Sequence, residues 1–197
     1  MEKRTLLIRS AALLAGGALL LSGCTTTPMS GSGSGAGTTN KRQEIDAAAT
    51  SALGRLSSTM PGARELVGKA RGVLVFPSVL AAGLGIGGEY GEGVLRVGGK
   101  SVDYYSTASA SFGLQIGAQS KAIIFLFMTQ DALDKFRNSQ GWTAGADASV
   151  AVVKAGANGD IDLNTATQPV NVFVMTNQGL MANLTIEGTK ITKLKTQ

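Results

Sequence analysis

One segment of the sequence has a glycine spacing close to that of a dinucleotide-binding loop. Residues 83–95, GLGIGGEYGEGVL, hold six glycines in thirteen positions. A phosphate-binding loop of this kind lies between a strand and a helix, because the N-terminus of the helix meets the pyrophosphate. Residues 89–97, EYGEGVLRV, have no helical period and contain the last two of these glycines. The context therefore argues against a nucleotide site.

The same glycines follow a period of two, which is the period of a β-strand. The odd positions from 83 to 93 hold five of the six glycines, and the even positions hold Leu84, Ile86, Tyr90 and Val94. In an extended strand one face would be apolar and the other would be bare backbone. Bare backbone permits close approach of another segment or a sharp bend of the sheet. We expect tight internal packing and curvature, with a shallow ligand groove as the alternative.

The residues that most often carry catalysis are scarce in this chain. It has no histidine and one cysteine, Cys24. Nucleophilic and general acid–base catalysis need a placed nucleophile, base and orienting group. Glu89 and Glu92 fall on opposite faces of a strand, and no spacing indicates a serine–lysine or paired-carboxylate arrangement. We expect no enzymatic activity and no cofactor, and nothing in the sequence supports a hydrolase.

A short acidic run has part of the pattern of a calcium-binding loop. Residues 158–164, NGDIDLN, alternate oxygen-bearing and apolar side chains. The glycine at the sixth position and the distal glutamate of such a loop are absent. Asn158 and Gly159 instead form a hairpin signal. We expect a hairpin strand and no metal here.

The N-terminus has the features of an export signal. Lys3, Arg4 and Arg9 precede the apolar run 11–21, which is too short to cross a bilayer comfortably. Residues 21–24, LSGC, resemble the bacterial lipobox, in which the cysteine is acylated. An ordinary signal peptide that happens to contain a cysteine is the alternative. We expect a signal peptide over residues 1–23 and lipidation of Cys24.

The segment after Cys24 predicts a tether, and the rest of the chain predicts one domain. Residues 25–40, TTTPMSGSGSGAGTTN, contain no charged and no aromatic residue, so we expect a flexible tether over 24–40. Residues 41–197 form one domain of ordinary size. Thr25 in place of an aspartate favours the outer membrane of the bacterial envelope, with the domain facing the periplasm. Loss of three basic residues and one acidic residue with the signal lowers the formal net charge from +5 to +3, too little to indicate nucleic-acid binding.

Hydrophobic periodicity in the domain predicts an α+β fold. Helices are expected at 41–60, where Pro61 ends the helix, at 62–70, and at 130–138, where Thr129 is the N-cap. Strands are expected at 73–76 (closed by Pro77), 83–95, 107–117, 121–128, 147–154, 170–175 and 180–194, with a turn at 187–190. The alternation of small and polar residues also extends over 142–152. Short links favour antiparallel pairing. The prediction is a mostly antiparallel, strongly curved β-sheet or barrel-like sandwich with N-terminal helices and one inserted helix.

Five segments occur in an order that resembles the SYLF domain family. They are KARGVLVFP (69–77), GLGIGGEYGEGVL (83–95), SFGLQIGAQS (111–120), GADASVAV (145–152) and GLMANLTIEG (179–188). The resemblance covers about residues 60–194. It implies a binding domain: eukaryotic members bind phosphoinositides and some bind actin, whereas bacterial members are lipid-binding domains, often on lipoproteins.

These observations together predict a membrane-anchored lipoprotein whose domain binds anionic phospholipid. The basic residues of the N-terminal helical part are the candidate lipid-binding set: Lys41, Arg42, Arg55, Arg64, Lys69 and Arg71. Tyr104 and Tyr105 are either membrane-inserting aromatics or part of the core. The alternative is an envelope scaffold that binds another protein or a cell-wall component and uses lipid only as an anchor.

Overall fold

The computed structural model describes residues 34–153, 168–176, 179–180 and 186–195, which lie in one compact unit, Gly33–Gln197. These residues form three helices, α1 (Ser34–Thr59), α2 (Pro61–Lys69) and α3 (Gln130–Asn138). They also form seven strands: β1 (Gly72–Val97), β2 (Lys100–Phe127), β3 (Trp142–Thr143), β4 (Val150–Val152), β5 (Val170–Thr176), β6 (Gly179–Leu180) and β7 (Lys190–Lys193). In the ranges described, no helix combines the length and the apolar character needed to cross a bilayer.

A long bent hairpin of β1 and β2 organises the sheet. Gly98 and Gly99 form its two-residue turn at φ 58° and 79°, the left-handed region that such hairpin turns require. The part of β2 near residues 122–127 pairs with β5, and the part near 105–108 pairs with β7. β4 is parallel to β5, and β3 pairs with β7. The predicted α+β fold with a strongly curved, mostly antiparallel sheet is confirmed.

Along residues 122–127 of β2 both faces of the sheet are covered, and the side chains alternate between two apolar cores. Ile123 and Phe125 face an aromatic-rich core that α3 closes. Ile124 and Leu126 face a second core against α1 and α2. This alternation is the period of two of an extended strand. A strand buried on both faces reads as a continuous apolar run, which residues 122–128 show.

Two glycines of β1 allow the strand to fold back against itself. A Cβ on Gly91 would lie 2.8 Å from the carbonyl oxygen of Ser78, and one on Gly93 would overlap the carbonyl oxygen of Val75. Residues 91–93 and 75–79 are therefore two limbs of one strand in backbone contact. The expectation of tight internal packing and curvature is confirmed at these two positions.

The helix predicted to begin at residue 41 begins earlier. α1 starts at Ser34, inside the stretch predicted as a tether. Glycine and threonine there have weak helix propensity, and tertiary contacts compensate for it. Lys41 of α1 pairs with Glu92 of β1, and Ile45 packs against the second core. Packing of this kind supplies most of the stability of helices in proteins.

Several predicted strand boundaries are wrong for local reasons. Pro77 does not close the first strand; it lies at a register shift between Phe76 and Val79, where a missing N–H is tolerated. Residues 142–152 are two short strands and not one, because Gly145 has φ 85° and the Thr143 amide donates to Asp147 Oδ2 at 2.6 Å. In the predicted strand 180–194, the described residues form β6 and β7.

The predicted helix at 130–138 is confirmed together with its cap. Thr129 Oγ1 accepts a hydrogen bond from the Ala132 amide at 3.2 Å. Asp131 lies in the first turn, and Leu133 and Phe136 are buried. Phe136 packs against Tyr105 with the ring centres 4.8 Å apart. Tyr105 is therefore a core residue, and burial raises the pKa of its phenol to about 12.

Candidate functional site

A cleft of about 430 Å³ lies between the N-terminal turns of α1 and the sheet. Its walls come from α1, from the second limb of β1, from the start of β2 and from the segment that follows β7. Three cationic side chains, one carboxylate and one tyrosine share the cleft with apolar side chains. The lining residues are Gly37, Thr38, Lys41, Arg42, Ile45, Glu92, Tyr104, Leu194 and Lys195.

Lys41 is held at the mouth of the cleft by an ion pair. Its Nζ lies 2.8 Å from Glu92 Oε2, and the hydroxyl of Tyr90 donates to Glu92 Oε1 at 2.9 Å. The Glu92 side chain is 17% exposed, whereas that of Lys41 is 60% exposed. The hydrogen bond to Glu92 raises the pKa of Lys41. The ammonium group is thus positioned but remains accessible to a ligand.

Arg42 and Tyr104 form the aromatic wall. The guanidinium carbon of Arg42 lies 5.2 Å from the centre of the Tyr104 ring, within the range of a cation–π contact. The Tyr104 hydroxyl donates to Asp46 Oδ2 at 2.9 Å. Burial, and then this hydrogen bond, raise the pKa of Tyr104. Tyr104 is therefore a neutral, fixed platform that orients Arg42, and its hydroxyl is already engaged.

Asp46 joins α1 to the hairpin behind the cleft. Its Oδ1 accepts a hydrogen bond from Ser101 Oγ at 2.7 Å, and its backbone carbonyl accepts one from Arg96 Nη2 at 2.8 Å. The same Arg96 nitrogen lies 2.8 Å from Thr50 Oγ1. Because these bonds bridge α1, β1 and β2, they fix the turns of α1 that carry Lys41 and Arg42.

The charge and shape of the cleft suit an anion with an apolar part. Lys41, Arg42 and Lys195 outnumber the single carboxylate Glu92. Ammonium and guanidinium groups are the usual partners of phosphate and carboxylate oxygens. Ile45 and Leu194 provide apolar contact beside them. In the part of the chain that the structure describes, no group of three or more acidic, cysteine or histidine residues could hold a metal ion.

The six cations predicted to bind lipid divide into two groups. Lys41 and Arg42 line the cleft. Arg55 follows Arg42 by thirteen positions in α1, so the helix rise places it about 20 Å further along the axis. Arg64 and Lys69 are exposed on α2, where Lys69 Nζ bonds Glu65 Oε1 at 2.6 Å. Arg71 is exposed and immediately precedes β1.

Two positions at the cleft are not among the residues predicted from the sequence. Lys195 completes the cation set of the cleft, and Arg96 positions α1. The alternation of lysine with apolar residues at 190–195, KITKLK, is a local signal for the first of these. Nothing local indicates the second, because Arg96 acts on a helix that lies about fifty positions earlier in the chain.

The remaining positions considered in the sequence are the glycine segment, the acidic run, Cys24 and the two glutamates of β1. The glycine segment 83–88 continues as strand to Val97, so the context required of a dinucleotide loop is missing there. The acidic run 158–164 and its hairpin signal, as well as Cys24, lie outside the described residues. Glu89 and Glu92 have different partners, Lys121 and Lys41.

The fold and the cleft define a small α+β domain in which three cationic side chains and a fixed tyrosine line one cleft. Residues 108–196 match the protein-family model described as Ysc84, Las17-binding protein actin regulator. This match is consistent with the SYLF domain family, so the resemblance seen in the sequence is confirmed. The match includes β2 from residue 108 onward, α3 and the later strands, and three of the five segments that carry the resemblance. Comparison with curated proteins gives no match.

Proposed function

We propose that this protein is a non-enzymatic, membrane-anchored lipoprotein whose SYLF domain binds anionic phospholipid through the cationic cleft. The observation that carries the proposal is the position of Lys41 and Arg42 in one cleft with Tyr104 and Lys195. Each cation near an anionic membrane surface contributes about 1 kcal/mol. Apolar wall residues beside the cations suit the glycerol and upper acyl region of a lipid.

The proposed anchor places the cleft near the bilayer. Ser34, the first residue of α1, follows Cys24 by ten positions, so even a fully extended chain between them spans at most about 35 Å. Lys41 and Arg42 lie two turns into this helix. Acyl chains on Cys24 would therefore hold the cleft within reach of the lipid headgroups of the outer membrane.

The second candidate function is that of an envelope scaffold that binds a protein or a cell-wall component. The description of the matching family, a Las17-binding protein and actin regulator, favours it because it names a protein as partner. An acidic peptide would satisfy the same cations. The anchor would then serve only to keep the domain at the membrane.

Vesicle flotation with two matched double variants separates these functions. Both are made in a Cys24→Ser protein that starts at residue 24, so no acyl chain contributes. Lys41→Gln with Arg42→Gln removes two charges from the cleft, and Arg64→Gln with Lys69→Gln removes two from α2. We expect flotation with phosphatidylglycerol vesicles but not with phosphatidylcholine vesicles, and weaker binding at high salt.

The cleft variant should bind at least about tenfold more weakly, since two cations at about 1 kcal/mol each are removed. The α2 variant should stay close to the parent protein. Equal losses in both variants would assign binding to diffuse charge and not to the cleft. Absence of flotation by the parent protein would reject phospholipid binding and leave the scaffold function.

A further inference from the structure

The middle of the β1–β2 hairpin forms a two-stranded arm, which we define as residues 80–90 together with 109–120. These residues pair only with one another in the described part of the sheet, since β7 pairs with β2 up to Ala108 and β5 pairs with it from Ala122. The register is shifted between Gly83 and Gly85. On the β2 side, Gly117 and Gly113 are their partners. The arm therefore leaves the body of the domain as a ribbon and returns to it.

One face of the arm exposes apolar side chains. Leu80 is 58% exposed and Tyr90 is 53% exposed, which is unusual for side chains of this size in a folded domain. Ala82, Gly88 and Ala110 are also exposed. Residues 80–88 and 109–120 contain no charged residue. Among the arm residues whose side chains the structure describes, this face therefore presents alanine, glycine and two large side chains without a charge.

The base of the arm is closed by a shielded ion pair on the opposite face. Lys121 Nζ lies 2.7 Å from Glu89 Oε1, with the two side chains 9% and 14% exposed. Ser109 Oγ donates to the other Glu89 oxygen at 3.2 Å. Gly91 packs against the backbone of Ser78. These contacts hold the two limbs together, so the exposed apolar face is carried on a fixed base.

Glu92 connects the arm to the cationic cleft. Its Oε1 accepts a hydrogen bond from the Tyr90 hydroxyl at 2.9 Å, and the same carboxylate pairs with Lys41 at 2.8 Å. The uncharged face and the first cation of the cleft are therefore separated by one side chain. A tyrosine with an exposed ring and a bonded hydroxyl beside a lysine is typical of a residue at a membrane–water interface.

We infer that the arm enters the lipid headgroup and upper acyl region while the cleft holds a headgroup phosphate. This inference rests on the proposed function and adds a second, apolar contact to it. The backbone N–H and C=O groups along the edges of a two-stranded ribbon cannot be left unsatisfied in hydrocarbon. The arm therefore penetrates to the interface and does not span the bilayer.

A site-specific fluorescent label tests where the arm lies. In the Cys24→Ser protein starting at residue 24, Ala82→Cys places the only thiol on the exposed face of the arm. Gln140→Cys places it in the exposed loop between α3 and β3 as the matched control. Each is labelled with an environment-sensitive dye and mixed with phosphatidylglycerol vesicles, with or without lipids brominated in the upper acyl chain. We expect a blue shift and at least twofold quenching at position 82 and neither effect at position 140.

A charge placed on the arm gives an independent test. Leu80→Asp adds a charge to an exposed arm position, so folding should be preserved, and Gln140→Asp adds the same charge elsewhere. We expect Leu80→Asp to weaken vesicle binding at least about fivefold and Gln140→Asp to leave it within twofold. Circular dichroism of both variants checks the fold.

The outcomes distinguish failure of arm insertion from failure of phospholipid binding by the cleft. Vesicle binding without a change in the fluorescence of the label at position 82 would overturn insertion of the arm and leave cleft-mediated binding intact. Absence of vesicle binding by the parent would overturn both. A blue shift that grows with protein concentration without vesicles would show association with a second copy and would overturn insertion.

Discussion

At the residue scale, glycine at positions 91 and 93 is required by space. Gly91 and Gly93 have no positive φ, yet a Cβ at either would meet the backbone of residues 75–79. Because glycine has no Cβ, the two limbs of the same strand can come into van der Waals contact at these positions. Close packing of the two limbs therefore explains these glycines, and a phosphate-binding role is not needed to explain them.

A pair of alanine substitutions tests this explanation of the glycines. Gly93→Ala should destabilise the domain by at least about 2 kcal/mol, because a clash with backbone cannot be relieved by a rotamer change. Gly54→Ala in α1, where nothing lies within 4 Å of the new Cβ, should stabilise it by about 0.5–1 kcal/mol. Urea unfolding followed by circular dichroism measures both. A Gly93→Ala protein as stable as the parent would show that the limbs of β1 are not in contact.

Single residues of the cleft differ in how much the sequence reveals about them. Lys41 and Arg42 are visible as a basic pair at the start of an amphipathic helix. Their separation from Arg55, Arg64, Lys69 and Arg71 is not visible, because it depends on where α1 lies on the sheet. Arg96 and Lys195 join the cleft or support it only through tertiary contacts, so composition and spacing could not select them.

At the element scale, elements with local signals were predicted and elements defined by distant pairing were not. α3 has its cap at Thr129, and α2 starts at Pro61, which is favoured in the first turn of a helix. β1 was predicted as two separate strands because Pro77 usually ends a strand, whereas here it lies at a bulge. The parallel pairing of β4 with β5 joins residues about twenty positions apart. No turn signal encodes that contact.

Breaking the ion pair at the base of the arm should lower the free energy of unfolding. Lys121→Met would leave Glu89 without its cation in a largely buried site, and loss of one partner of such a pair costs about 3–5 kcal/mol. We expect that loss in urea unfolding, and a change within about 0.5 kcal/mol for Lys100→Met, since Lys100 is exposed at the start of β2. The double variant Glu89→Leu with Lys121→Met should recover most of the stability. A Lys121→Met protein as stable as Lys100→Met would show that the pair does not hold the arm.

At the scale of the whole molecule, the proposed anchor and the proposed lipid contacts differ greatly in strength. Each buried methylene of an acyl chain contributes about 0.8 kcal/mol, and a chain contains many of them. A whole cation of the cleft contributes only about 1 kcal/mol. The proposed anchor would therefore determine where the protein resides. The cleft and the arm would determine how the domain lies on the membrane and which headgroup it contacts.

This hierarchy predicts how cell fractionation responds to combined variants. With Cys24 intact, Lys41→Gln with Arg42→Gln should remain entirely in the membrane fraction, because several acyl chains outweigh two surface charges. Cys24→Ser alone should move much of the protein to the soluble fraction and leave a salt-sensitive remainder. Adding the two cleft substitutions to Cys24→Ser should release that remainder, whereas adding Arg64→Gln and Lys69→Gln should not. Mass spectrometry of the N-terminal peptide checks acylation, and an unmodified Cys24 in a membrane-bound protein would contradict the anchor.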